Sequence, residues 1–139
     1  MSRNLILLAI FAGLLATPAL AGDLEIANGW VSQPIYDEDP PGYFVIQNRG
    51  KKVRTIVGAT SPRCERISIR RAVVRDGQMV SEEMDEMQVP AGGAVAFAPR
   101  GLFLRLMSPE KLEVDEIVPI ELEFADGEKV AFDAKVRDD

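Results

Sequence analysis

Cys64, four methionines (Met79, Met84, Met87 and Met107) and a run of arginines around them are the side chains with chemistry to offer in this chain. Thiolate and thioether sulfur are soft donors suited to thiophilic metal ions, whereas guanidinium is permanently protonated, has no lone pair to give a metal, and suits anions instead. Histidine is absent. No Ser-His-Asp or Cys-His pair can therefore form, no imidazole base is available near neutral pH, and the common histidine zinc sites are excluded. With no catalytic constellation left, the expectation is a protein that is not an enzyme. Cys64 is the single cysteine, so no internal disulfide can form and packing must hold the fold. Strand alternation puts Cys64 on the face of Ser68 and Arg70, where a neighbouring guanidinium would favour the thiolate, although a plain half-buried cysteine is the simpler reading. Methionines in a β-protein are more often core filler than ligands.

The elements that must position these residues are short and alternating, with Gly, Pro, Asn and Asp between them. Glu65 to Val74 places Ile67 and Ile69 on one face and Arg66, Ser68 and Arg70 on the other, which parity predicts to be wet. Leu102, Leu104 and Leu106 alternate with Phe103, Arg105 and Met107. Ile120, Leu122 and Phe124 alternate with Glu121 and Glu123, and Val130, Phe132, Ala134 and Val136 alternate with Lys129, Asp133 and Lys135. Asp76-Gly77 and Asp126-Gly127 read as two-residue hairpin turns, and Pro90-Ala91-Gly92-Gly93 as a turn before Ala94 to Ala98. Gln33 to Gly42, with three prolines and three acids, predicts an exposed loop. Seven or more strands on this spacing point to an all-β sandwich.

Ahead of these strands lies an export signal. Met1 to Asn4 carries Arg3, Leu5 to Leu15 is an apolar run shorter than the roughly 20 residues a bilayer-spanning helix needs, and Pro18 precedes Ala19-Leu20-Ala21, the small residues of a cleavage site. Residues 1–21 are expected to be a cleaved signal peptide and residues 22–139 a single domain. No cysteine follows the apolar run, so a lipid anchor at that point is not expected. One of the 16 basic side chains, Arg3, leaves with the leader against 22 acidic ones, so the net charge moves from −6 to −7. Such acidity argues against nucleic acid and anionic membrane as partners.

Gly29-Trp30-Val31, Gly42 to Asn48, Gly58 to Pro62, Val89 to Gly93 and Leu104 to Met107 together resemble the PCu(A)C family of periplasmic copper chaperones, over nearly all of residues 22–139. The resemblance implies a cupredoxin-like, immunoglobulin-like β-sandwich in the periplasm that carries Cu(I) towards assembly of respiratory cytochrome c oxidase. It also implies where copper would bind, through a histidine, a methionine and a His-x-Met pair, and these positions fall on Arg70, Ser81, Phe103 and Arg105. None of the four suits Cu(I). Two functional readings follow. In one the protein still handles copper, with Met79, Met84, Met87 and Met107 as substitute donors. In the other it is a metal-free module whose patch of Arg70, Arg71, Arg75, Ser81, Phe103 and Arg105 binds a small anion or an acidic protein partner.

Overall fold

In a computed structural model of the chain, residues 18–36 and 38–139 are described. The positively charged start and apolar run of the expected signal peptide, and Asp37, lie outside the described residues. The described part is all β, with eleven strands: β1 (Ala19–Ala21), β2 (Leu24–Ser32), β3 (Pro41–Asn48), β4 (Arg54–Thr60), β5 (Cys64–Arg75), β6 (Gln78–Met84), β7 (Met87–Val89), β8 (Ala94–Phe97), β9 (Leu102–Pro109), β10 (Ile117–Phe124) and β11 (Lys129–Arg137). Alternation decides what each strand buries. Val118, Ile120, Leu122 and Phe124 of β10 and Val130, Phe132, Ala134 and Val136 of β11 all point into the core, while Glu121, Glu123, Asp133 and Lys135 between them face water.

The hydrogen-bonded path runs β6-β5-β9-β8-β3-β2-β11-β10-β4-β7, and further pairings join β9 to β3 and β5 to β4. Because β4 meets β5 at Ala59 opposite Ile67, the sheet returns on itself and its two halves face each other across one core, a flattened barrel with a sandwich interior. Most neighbours are antiparallel, but β2 and β11 run parallel through Trp30, Val31 and Ser32, and β8 and β9 through Phe97 and Leu102. Phe44 stacks on Phe97 with ring centroids 4.3 Å apart and tilts against Phe132 at 4.9 Å, joining β3, β8 and β11 at the centre.

The structure changes two details of the sequence expectation and adds two that were not in it. Ala19–Ala21, expected as the cleavage site, pairs with Leu24–Ile26 as β1, around a turn with Gly22 at φ 57°. Pro41 and Gly42 belong to β3, and buried Pro40 accepts a hydrogen bond from the Leu106 amide, so the loop is Gln33 to Pro40 and its end is anchored. Proline is tolerated as the first residue of a strand, where its missing N–H is not needed. Asp126-Gly127 sits in a wider loop, closed by the Phe124 amide donating to Glu128 and the Gly127 amide donating to Phe124. By contrast Asp76-Gly77 is a two-residue turn with φ of 51° and 77°, the left-handed pair that matches strand twist. Finally, Asn48 is fully buried: its Nδ2 donates to the carbonyls of Lys52 (2.7 Å) and Val89 (3.2 Å), and its Oδ1 accepts from the Gly50 amide at 3.0 Å.

Candidate functional site

β5 is long enough to serve two neighbours. It pairs with β9 from Cys64 to Arg71 and with β6 from Ile69 to Arg75, so side chains of three strands meet on its outer face. Directly opposed pairs share a face. Ser68 therefore stands beside Arg105, Arg70 between Phe103 and Glu83, and Ala72 beside Ser81. The core side of the same strands is filled by Ile67, Ile69, Leu104 and Leu106.

On that outer face two guanidiniums converge on one hydroxyl. Arg70 donates from Nε to Ser81 Oγ at 2.8 Å and from Nη2 to the Ser81 carbonyl at 3.1 Å, and Arg105 Nη2 makes a longer contact to the same Oγ at 3.5 Å. The Arg105 guanidinium carbon lies 5.8 Å from the Phe103 ring centroid, a cation–π contact. Arg70, Ser81, Phe103 and Arg105 are all half-buried. Glu83, opposite Arg70, is held instead by Arg66 at 2.6 Å. Among the described residues no carboxylate lies within ion-pair distance of Arg70 or Arg105, nor of Arg100 or Arg137, whereas Arg49, Arg54, Arg63, Arg66, Arg71 and Arg75 each have at least one. Two like charges thus share a neutral acceptor. Beneath them Ser68 is 4% exposed, and its Oγ has no hydrogen-bond partner. The face expected to be wet is dry at its centre.

The patch is smaller than the sequence implied. Arg71 and Arg75 alternate to the opposite side of β5, where both approach Glu82, so they do not border the Arg70–Arg105 cluster. The four methionines are also divided. Met84 and Met87, opposite Ile69 and Ile56, pack against the core, whereas Met107 and Met79, opposite Arg66 and Val74, stand at different places along the outer face. Among the described residues no three His, Cys, Asp or Glu side chains are grouped to hold a metal. Cys64 lies on the expected face, but burial pushes its thiol upward, with the charge of Asp39 adding to the effect, and this outweighs the Arg66 backbone hydrogen bond. Thiolate activation by an arginine is therefore not what the site provides, and Cys64 is a neutral, half-buried thiol.

The side chains the cluster offers are hydrogen-bond donors, a hydroxyl and an aromatic ring. Two forked donors beside a hydroxyl fit the oxygens of a carboxylate or another oxyanion. Sequence reasoning missed Ser68; its only signal was a small polar residue alternating with two arginines on one strand.

Solved structures with the same architecture include the copper-bound PCuAC domain from PmoF2 (TM-score 0.71, 19% identity, covering 86% of this chain and 97% of that one). The apo PCuAC domain from PmoF1 matches with TM-score 0.72 and 19% identity over 86% of this chain and 98% of that one. The Cu(I) form of DR1885 from Deinococcus radiodurans matches with TM-score 0.64 and 23% identity over 92% and 84%. The fold is thus the cupredoxin-like fold of PCuAC domains. In sequence, the chain is 27% identical over 125 residues to "Putative lipoprotein Lxx21020" of Leifsonia xyli subsp. xyli, covering 88% of this chain and 75% of that protein. A family model described as "Putative lipoprotein LpqE-like" matches residues 24–136, the whole sheet from β2 to the end of β11 bar one residue, and the chain accordingly belongs to the LpqE-like family.

Proposed function

We propose that this protein is an exported binding module of the cell envelope that uses the PCuAC fold without its copper chemistry and holds an anionic group between Arg70 and Arg105. The observation that carries this reading is the convergence of both guanidiniums on Ser81 Oγ with no carboxylate to balance them. Membership of a family described as lipoproteins supports an envelope location. The apolar leader and Ala19-Leu20-Ala21 support export through a cleaved signal and a periplasmic address. A bound anion relieves the repulsion between two half-buried cations, and a planar carboxylate can take parallel hydrogen bonds from either. Nothing in the cluster moves a proton or attacks a substrate, so the activity is binding, not catalysis.

Cu(I) does not fit this donor set. At the positions where the family resemblance locates the ligands, Arg70 and Arg105 offer only protons, Phe103 offers a ring and Ser81 a hard hydroxyl. The shared fold with copper-bound domains nevertheless supports a second reading, in which the protein handles copper during respiratory oxidase assembly through its methionines. The two readings separate cleanly. Titration with Cu(I) under reducing conditions should give no stoichiometric binding, and sulfate or acetate should raise the melting temperature of the native protein but not of the Arg70→Ala, Arg105→Ala double variant. Tight one-to-one Cu(I) binding that is lost on changing Met79 or Met107 establishes the copper reading in its place.

A further inference from the structure

We infer that the anion held between Arg70 and Arg105 is a side-chain carboxylate of an extended protein segment that adds to the open edge of β6, with an apolar side chain of that segment resting on Val74 and Met79. This rests on the anion-binding reading above and names its partner. Among the described residues β6 is the end of the hydrogen-bonded path, paired with β5 alone. Its register with β5 is unbroken from Ile69–Met84 to Arg75–Gln78, it contains neither proline nor bulge, and its two charges, Glu82 and Glu83, are already paired with arginines. The Asp76-Gly77 turn closes the hairpin at Arg75 and Gln78, so by antiparallel alternation the N–H and C=O groups of Met79, Ser81 and Glu83 point away from β5. The Ser81 carbonyl on that edge is the one that accepts from Arg70, which brings the guanidinium to the margin where an added strand would lie.

The surface beside the cations is apolar and unexplained by the fold. Val74 and Met79 are opposed in register, 67% and 58% exposed, on the same face as Ala72, Ser81 and Arg70. Successive same-face positions along a strand are about 7 Å apart, so the Val74–Met79 row and the Ala72–Ser81 row match residues i and i+2 of a neighbouring strand. An acidic residue and an apolar residue at that spacing would meet Arg70 and Arg105 with one side chain and Val74 and Met79 with the other, while main-chain groups pair with the β6 edge. The sign of the charge is selected locally. Glu82 is taken up by Arg71 and Arg75, and Glu83 by Arg66, which leaves Arg70 and Arg105 as the unbalanced charges on this face. A free inorganic anion would engage the guanidiniums but leave the apolar row and the strand edge unused.

The test uses the protein purified after export, labelled with nitrogen-15, and titrated with the acetylated and amidated peptide Thr-Glu-Thr-Leu-Thr, its Glu-to-Gln analogue, and sodium acetate. The glutamate peptide should shift the amides of Met79, Ser81 and Glu83 together with the Arg70 and Arg105 Nε signals. It should bind at least about ten-fold more tightly than the glutamine peptide or acetate, a difference of about 1.4 kcal/mol. Arg70→Ala with Arg105→Ala should abolish that preference, and Met79→Ser should weaken the peptide but not acetate. Equal binding of the two peptides, or binding of the acidic peptide without movement of the β6 amides, overturns the segment proposal. Acetate shifting the arginine signals with no preference for peptide removes the segment and leaves the anion site standing. No response of Arg70 and Arg105 to either acetate or the acidic peptide removes both.

Discussion

Ser68 and Ser81 are chemically identical and do opposite things. Ser81 accepts from two arginines, so Ser81→Ala strips both of a partner and should lower stability by about 1 kcal/mol, as well as loosening the anion site. Ser68 buries a hydroxyl with no partner, a cost of about 1–3 kcal/mol, so Ser68→Ala should leave stability unchanged or raise it. Urea denaturation of the two variants side by side checks the contrast. Asn48→Ala removes three hydrogen bonds from a buried side chain to the backbone of the β3–β4 loop and β7, and should cost at least about 2 kcal/mol by the same measurement. Cys64, whose thiol is pushed upward, should react with iodoacetamide more slowly in the native protein than in urea at pH 8. Its stabilising contribution is present below the ordinary thiol pKa and is lost as pH rises through the raised folded value, because the unfolded chain gives up the proton first; Cys64→Ala should flatten that alkaline decline. At this scale the meeting of Arg70, Ser81, Phe103 and Arg105 was legible once family register was joined to strand alternation. Ser68 and Asn48 were not, because whether a small polar side chain is covered depends on residues distant in sequence.

Strands whose alternation is strict were legible without any relative: β10 and β11 bury the residues their pattern assigns. Turns were legible only in part. Asp76-Gly77 forms the two-residue turn its type implies, and Gly77→Ala, at φ 77°, should destabilise by about 1 kcal/mol, read as a lower melting temperature. The same dipeptide at Asp126-Gly127 gives a wider loop, because the Thr55 carbonyl captures the Ala125 amide and extends the connection. Gly29 carries a constraint that no turn rule reveals. A Cβ there would lie 2.8 Å from the Asp133 carbonyl and 2.9 Å from the Phe132 ring, next to the irregularity in β2 between Ala27 and Trp30. Gly29→Ala should therefore cost about 1–3 kcal/mol, more than Gly77→Ala, in the same thermal comparison.

For the molecule as a whole, one cysteine and no histidine pointed from composition to a domain held by packing, and strand alternation made it an all-β one. Closure of the sheet could not, since neither the meeting of β4 with β5 nor the parallel pairing of β2 with β11 leaves a local pattern. That parallel pairing has a kinetic consequence. The first long strand of the domain waits for the last, and contacts between the two ends of a chain are the slowest to find by diffusion. A chain made amino end first cannot complete its sheet until β11 has been made, and no disulfide holds the earlier strands together meanwhile. A product stopped before Lys129 lacks the strand that β2 and β10 pair with, and should be cut by an added protease faster than the full chain.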